Sequence, residues 1–233
     1  MNIRLNVKKT NLLVAGTDLD EVHNIQIDGG TVEQVDHFKY LGSTKYNNAN
    51  CSRDIKSRIA IAKKRMIDLQ VLWNDRNLSM PLKMKLVKTL VWSALIYGAE
   101  SWTLCKADES RIMAAEMWFW RRMLNISWKQ KRTNASILCE LNTERQLLGK
   151  IISLKLGYFG HILRGSGSPL TLGIIEGKVE GKRKRGRQKK NWFDNIREWT
   201  GFNYVQAKRA AQDRTAWRTC TKKNADVIAN RLK

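Results

Sequence analysis

The spacing of apolar residues changes near residue 50, and this change limits the chain to two kinds of local structure in a fixed order. Before it, IRLNV (3–7), NLLVAG (11–16), VHNIQI (22–27), TVEQV (31–35) and FKYLG (38–42) alternate or cluster apolar and β-branched residues, as half-covered strands do. Asp28, Gly29 and Gly30 stand between two of these runs and tolerate the positive φ that a tight hairpin requires. One or two hairpins need a further layer over their apolar face. The expectation is therefore a small N-terminal antiparallel β element and not a domain in itself.

After residue 50 the steps become three and four. Ile55, Ile59, Ala62, Met66, Leu69 and Trp73 fall on one side of a helix, and Arg53, Lys56, Arg58, Lys63 and Lys64 occupy much of the rest. Ser79 is a good N-cap with Pro81 in the first turn, and it opens a second helix that stops at Gly98. A third runs from Asp108 to Leu124 and holds Trp118, Phe119 and Trp120, followed by Arg121 and Arg122. Thr143-Glu144-Arg145-Gln146 has the capping-box pattern and opens a fourth, whose apolar face includes Leu147, Leu148, Ile151, Leu154, Tyr158, Phe159 and Ile162. GSGSP (165–169) reads as a linker. Beyond it lie a glycine-punctuated stretch, a basic run and two helical patterns, NWFDNIREWTG and NYVQAKRAAQDRTAWRTC. The fold class is mainly α, with a helical bundle and a small basic C-terminal helical module added to the β element.

Charge narrows the partner. With 233 residues, 42% of them hydrophobic, the chain can bury a core and is no disordered tail. Its net charge of +22 repels itself on compaction unless a polyanion relieves it. Residues 1–50 carry five basic side chains against six acidic ones, so the positive excess lies entirely after residue 50. Seven of the nine positions from Lys182 to Lys190 are Lys or Arg: Lys182, Arg183, Lys184, Arg185, Arg187, Lys189 and Lys190. Each phosphate such a cation neutralises steepens the salt dependence of log K by about 0.9 on duplex DNA, with little regard to sequence. Trp192 follows the run. It either stacks an unpaired base, worth about 1–3 kcal/mol, or packs with Ile196 and Trp199, which share its helix face. The run also fits a nuclear localisation signal read by an import receptor, or a solvated charge run. Arg58, Lys63, Lys83, Lys85, Lys88, Arg121 and Arg122 are either the wet face of a bundle or the wall of a duplex groove.

Other chemistry is sparse. Cys51, Cys105, Cys139 and Cys220 lack zinc-site spacing and read as free thiols of a reducing compartment. His23, His37 and His161 stand apart from any nucleophile motif, and no P-loop pattern occurs. Neither a signal-peptide core in MNIRLNVKKTN nor a run of about 18 apolar residues is present. The expectation is a soluble intracellular chain with no membrane partner, nuclear if the basic run is an import signal.

FKYLGS (38–43), LIYGAESWTL (95–104), RRML (121–124), YFGHILR (158–164) and GKRKRGRQKKNWFDNIREWTG (181–201) together extend over most of the chain. In this order they resemble the C-terminal part of a non-LTR retrotransposon endonuclease-reverse transcriptase of the RTE type. The resemblance implies that residues 1–45 end a polymerase palm, with Lys9 at the family's Lys-Thr position and FKYLGS as a primer-grip hairpin. Lys9, Tyr40 and Gly42 would then contact nucleic acid. It implies that 46–164 form a thumb that grips template and primer, and that 165–233 comprise a linker and a basic nucleic-acid-binding module. The family's catalytic centre needs adjacent aspartates and a third carboxylate to hold two divalent metals about 3.5–4 Å apart. Adjacent aspartates occur nowhere in this sequence, and Asp18 and Asp20 follow the Lys-Thr segment, where the family's pair precedes it. On that alignment the metal-binding palm and the endonuclease lie upstream of Met1. The expectation is a truncated retroelement segment that binds RNA or DNA backbone, with no catalytic or metal-binding residue and no cofactor of its own, magnesium belonging to the absent palm. The alternative is a host-adopted nuclear DNA- or RNA-binding or regulatory protein.

Overall fold

The computed structural model describes residues 6, 10–14, 25–27, 29–40, 43–47, 51–166, 168–176 and 190–231. They divide into two units, one carrying the strands and reaching Asp54, the other formed by 55–180 with 189–233. The fold is mainly α with a small N-terminal sheet.

In the first unit β1 (Asn11–Leu12), β2 (Ile25–Ile27) and β3 (Gly30–Gln34) make a sheet with β3 in the middle. β2 and β3 form the anticipated hairpin, Ile27 opposite Gly30, and Gly29 takes a φ of 78°, where a Cβ would crowd the backbone. β1, however, runs parallel to β3, with Asn11 opposite Glu33. The element is mixed and not purely antiparallel, because apolar alternation fixes the covered face of a strand and leaves the direction of its neighbour open. β4 (His37–Tyr40) and β5 (Ser43–Tyr46) form a separate antiparallel hairpin, Tyr40 opposite Ser43, so FKYLGS does turn back on itself. The Thr44 amide donates to Asp54 Oδ1 at 3.2 Å, and the Arg53 guanidinium lies 5.1 Å from the centre of the Tyr46 ring.

The second unit is helical. α1 (Cys51–Asp68) and α2 (Gln70–Asn74) bury Ile55, Ala62, Met66 and Trp73, the stripe expected from the sequence. α3 (Met80–Leu86) starts after Ser79 and passes through a π-helical turn, Val87–Val91, into α4 (Trp92–Ile96). A π turn displaces the regular ladder, and Arg65 Nη1 donates to the Leu90 carbonyl within it at 3.2 Å. Gly98, with φ 72°, ends the segment where anticipated. α5 (Lys106–Met123) buries Ile112, Phe119 and Trp120 completely. In its first turns Asp108 and Glu109 are also buried, each 1% exposed, and pair with Arg111 (2.7 Å) and Lys106 (3.0 Å).

α6 (Asn134–Glu140) is capped by Thr133, whose hydroxyl accepts the Ser136 amide at 3.2 Å. α7 (Leu147–His161) follows. The capping box expected at Thr143–Gln146 does not form. Thr143 instead closes α6, its amide donating to the Leu138 carbonyl while Asn142, at φ 46°, donates to that of Cys139. This is a Schellman ending with Asn in the left-handed position. The start of α7 is capped from another helix: Glu116 Oε1 accepts the amides of Gln146 (2.8 Å) and Leu147 (3.2 Å).

α8 (Pro169–Glu176) starts at the last residue of the expected linker, and beyond it come α9 (Trp192–Thr200), α10 (Tyr204–Gln212) and α11 (Arg214–Arg231). Asn191 with Asp194, and Asn203 with Gln206, make reciprocal capping boxes. These last helices do not stand apart as a C-terminal module. They belong to the same compact unit as α7, against which α11 packs extensively. Trp217 Nε1 donates to the Leu156 carbonyl at 2.8 Å, and Arg164 Nη1 donates to that of Ala211 at 2.6 Å. Gly160 is what lets α11 so close, since a Cβ there would lie 2.6 Å from the Trp217 ring. A glycine-rich junction marks a break in local pattern, whereas the domain boundary is set by where apolar faces are covered. All four cysteines are free thiols. No helix among the described residues is long and apolar enough to cross a membrane.

Candidate nucleic-acid interface

The seven cations considered as a groove wall separate by role. Arg58 is 7% exposed, its guanidinium 4.6 Å from the centre of the Tyr97 ring. Lys83 is 9% exposed and donates to the Trp73 carbonyl at 2.8 Å, closing the end of α2. Arg121 donates to the Arg132 carbonyl (3.2 Å) and to Asn134 Oδ1 (2.7 Å). Lys88 donates to Gln146 Oε1 at 2.7 Å, and Lys63 lies 5.2 Å from the centre of the Trp118 ring. Lys85 and Arg122 remain exposed. A charged residue off the apolar stripe is thus as often an internal brace as a free cation, because long stems carry their heads to distant carbonyls.

A cationic cleft of about 510 Å³ forms where α5 turns toward α6. α5 ends in a Schellman turn: Asn125, at φ 54°, donates to the Arg122 carbonyl, and the Ile126 amide donates to that of Arg121. Asn125 is also held through its side chain, donating to Asn74 Oδ1 (2.9 Å) and accepting from Gln70 Nε2 (3.1 Å). Ser127 then caps a 3₁₀ turn, Trp128–Gln130. Arg132, in an ion pair with Glu140 at 2.6 Å, secures the far side. The cleft is lined by Trp118, Arg121, Arg122 and Trp128, among others, and none of its lining residues is acidic. Trp128 is 82% exposed. Periodicity missed it because it lies in a short 3₁₀ turn outside every described α-helix; an isolated Trp among Lys129, Lys131 and Arg132 was the available signal.

A larger cleft, of about 710 Å³, runs between the π turn, the start of α7 and α11. Lys88, Arg145 and Lys150 line it together with Glu144 and Asp226, a mixed lining less suited to a polyanion.

Of the basic run and its neighbours, Lys190 and Trp192 are described, and both are engaged internally. Lys190 Nζ donates to the Leu104 carbonyl (2.9 Å) and pairs with Glu198 (2.6 Å). The Trp192 indole donates to the Glu100 carbonyl at 2.9 Å and packs against Tyr158 and Phe159. Beneath it Lys155, fully buried, donates to the Trp102 carbonyl (2.6 Å) and Asn195 Oδ1 (2.9 Å), with its ammonium 4.5 Å from the Trp192 ring centre. Asn195 in turn exchanges two hydrogen bonds with the Leu104 backbone, at 2.8 and 2.9 Å. Lys182, Arg183, Lys184, Arg185, Arg187 and Lys189, like Lys9 and Gly42, lie outside the described residues. Tyr40 lies in β4.

Among the described residues no three His, Cys, Asp or Glu side chains gather, and Asp18, Asp20 and Glu21 lie outside them.

The described residues form a mainly α fold in which Asp54, Asp108, Glu109 and Glu116 are buried while many of the cations face water. No protein-family model matches the sequence, and no solved structure matches it. Over 153 residues the chain is 26% identical to an uncharacterized transposon-derived protein of Caenorhabditis elegans, a match covering 61% of this chain and 55% of the relative. The chain thus spans about half the length of the curated relative it matches, and the similarity points to a transposon origin.

Proposed function

We propose that this chain is a retroelement-derived segment that holds nucleic-acid backbone, RNA or DNA, on the cationic exterior of its helical unit, in the manner of a template-primer grip, and does not itself join nucleotides. The observation that carries the reading is the fate of the acids. Asp108, Glu109 and Glu116 are buried, and Glu140, Glu176, Asp194 and Glu198 are already in ion pairs or caps. Those carboxylates are committed within the fold, and with the exposed Asp68, Glu144, Asp213 and Asp226 counted the chain still carries a net charge of +22, which the phosphates of a bound polyanion would neutralise. Similarity to a transposon-derived protein supports the retroelement part, and the tightly closed hairpin at FKYLGS supports the grip.

Anisotropy of a fluorescent 20-base-pair duplex with the full chain tests this. Binding at 50 mM salt that weakens steeply toward 300 mM is the expected result; affinity unchanged over that range rejects the phosphate mechanism.

A further inference from the structure

The turn between α5 and α6 presents a large aromatic ring to water on a backbone held on both sides. A Trp carries the largest apolar surface of any side chain, and leaving it 82% exposed forgoes that burial. Exposed loop tips are ordinarily the loosest parts of a fold. This one is fastened at both ends: the Schellman turn and the Gln70–Asn74–Asn125 amide contacts hold one side, and the Arg121 bonds to Arg132 and Asn134 hold the other.

The surroundings select the occupant. Trp118, with Lys63 over its ring, forms the adjoining wall, Arg122 is exposed beside it, and Lys129 and Lys131 flank Trp128 on the surface. A flat ring among cations, with no carboxylate in the lining, matches a ligand that pairs aromatic faces with a chain of negative charges. Single-stranded nucleic acid has that chemistry; in a duplex the base faces are already stacked on one another.

We infer that Trp128 is a stacking platform for one base of single-stranded RNA or DNA, with the adjoining phosphates on Arg122, Lys129 and Lys131. This inference rests on the nucleic-acid reading above and adds that unpaired bases, and not backbone alone, are recognised. The aromatic face is indifferent to base identity, so recognition is for unpaired bases in general.

The test uses the full chain with three fluorescein-labelled probes: a 12-nucleotide oligothymidylate, an abasic strand of the same length, and a 12-base-pair duplex. The native chain is expected to bind oligothymidylate on the order of tenfold more tightly than the abasic strand. Trp128→Ala should erase that difference and leave duplex affinity unchanged, and Trp128→Phe should restore most of it. Duplex and abasic binding without base preference overturns the stacking inference and leaves the backbone reading standing. Binding of none of the three overturns both. A loss in Trp128→Ala that is equal for all three probes makes the residue a structural one. Trp128-dependent binding of a 12-residue polyglutamate, at an affinity equal to that of the oligonucleotide, would assign the cleft to an acidic protein segment.

Discussion

Lys155 Nζ stands 2.9 Å from Asn195 Oδ1, both side chains fully buried, so a cation on α7 holds the position of a helix forty residues away. It also donates to the Trp102 carbonyl, and the Trp192 and Trp199 ring centres lie 4.5 and 5.7 Å from its ammonium. A buried charge is tolerable only when so surrounded, and removing it strands the groups that faced it. Lys155→Met keeps the volume and deletes the donor. Urea denaturation should show a loss of about 2–4 kcal/mol, with Asn195→Ala producing a loss of the same order.

Glu116 supplies a pH signature. Burial raises its carboxyl above the ordinary value, and the amides of Gln146 and Leu147 offset part of that rise. A group whose folded value is raised binds more protons in the folded state, so its contribution is full below the unfolded value of 4.5 and fades as pH climbs through the folded one. Glu116→Gln keeps an acceptor oxygen without a titrating proton. The difference in stability between variant and native chain should therefore shift toward the variant as pH rises from 4.5 to 7, measured by thermal melts at matched ionic strength. Glu116→Ala, which leaves two amides uncapped, should cost about 1–2 kcal/mol near pH 7.

Asn125 at φ 54° tests the presentation of Trp128. Alanine pays the left-handed penalty of about 1–2 kcal/mol, and glycine does not. Asn125→Ala should lower both stability and affinity for oligothymidylate. Asn125→Gly should recover most of the stability and less of the affinity, because the side-chain bonds to Gln70 and Asn74 remain lost.

Gly160→Ala places a methyl 2.6 Å from the Trp217 ring, inside contact distance, and that ring is pinned by its bond to Leu156. Overpacking of a well-filled core commonly costs 1–3 kcal/mol, and an effect of about that size is expected in chemical denaturation. The smaller partner variant Trp217→Phe should partly rescue Gly160→Ala, an outcome that general helix stiffening cannot produce.

The basic run predicts a division of labour. Changing Lys182, Arg183, Lys184, Arg185, Arg187 and Lys189 to Gln should flatten the salt dependence of duplex binding, by about 0.9 in the log–log slope for each phosphate contact removed. Lys190→Gln should instead lower the melting temperature, since its ammonium holds Leu104 and Glu198 together.

Apolar spacing made the stripe of α1, the Ser79 start and the Gly98 stop legible, because each depends on residues close in sequence. What was hidden depends on partners far away. Thr143-Glu144-Arg145-Gln146 has the letters of a capping box, yet the cap of α7 comes from Glu116, thirty residues earlier in the chain than Gln146. Lys83 and Arg58 looked like solvent cations, and only the fold shows a carbonyl and a ring waiting for them. The parallel placement of β1 escaped for the same reason, since alternation carries no arrow. Trp128 was visible as a letter, but its exposure between two fixed turns shows only in the fold.

The contact between Gly160 and Trp217 ties the last helix to the middle of the chain. Trp217 also packs on Phe159 of α7, so α7 and α11 are expected to lose structure together, as one cooperative unit.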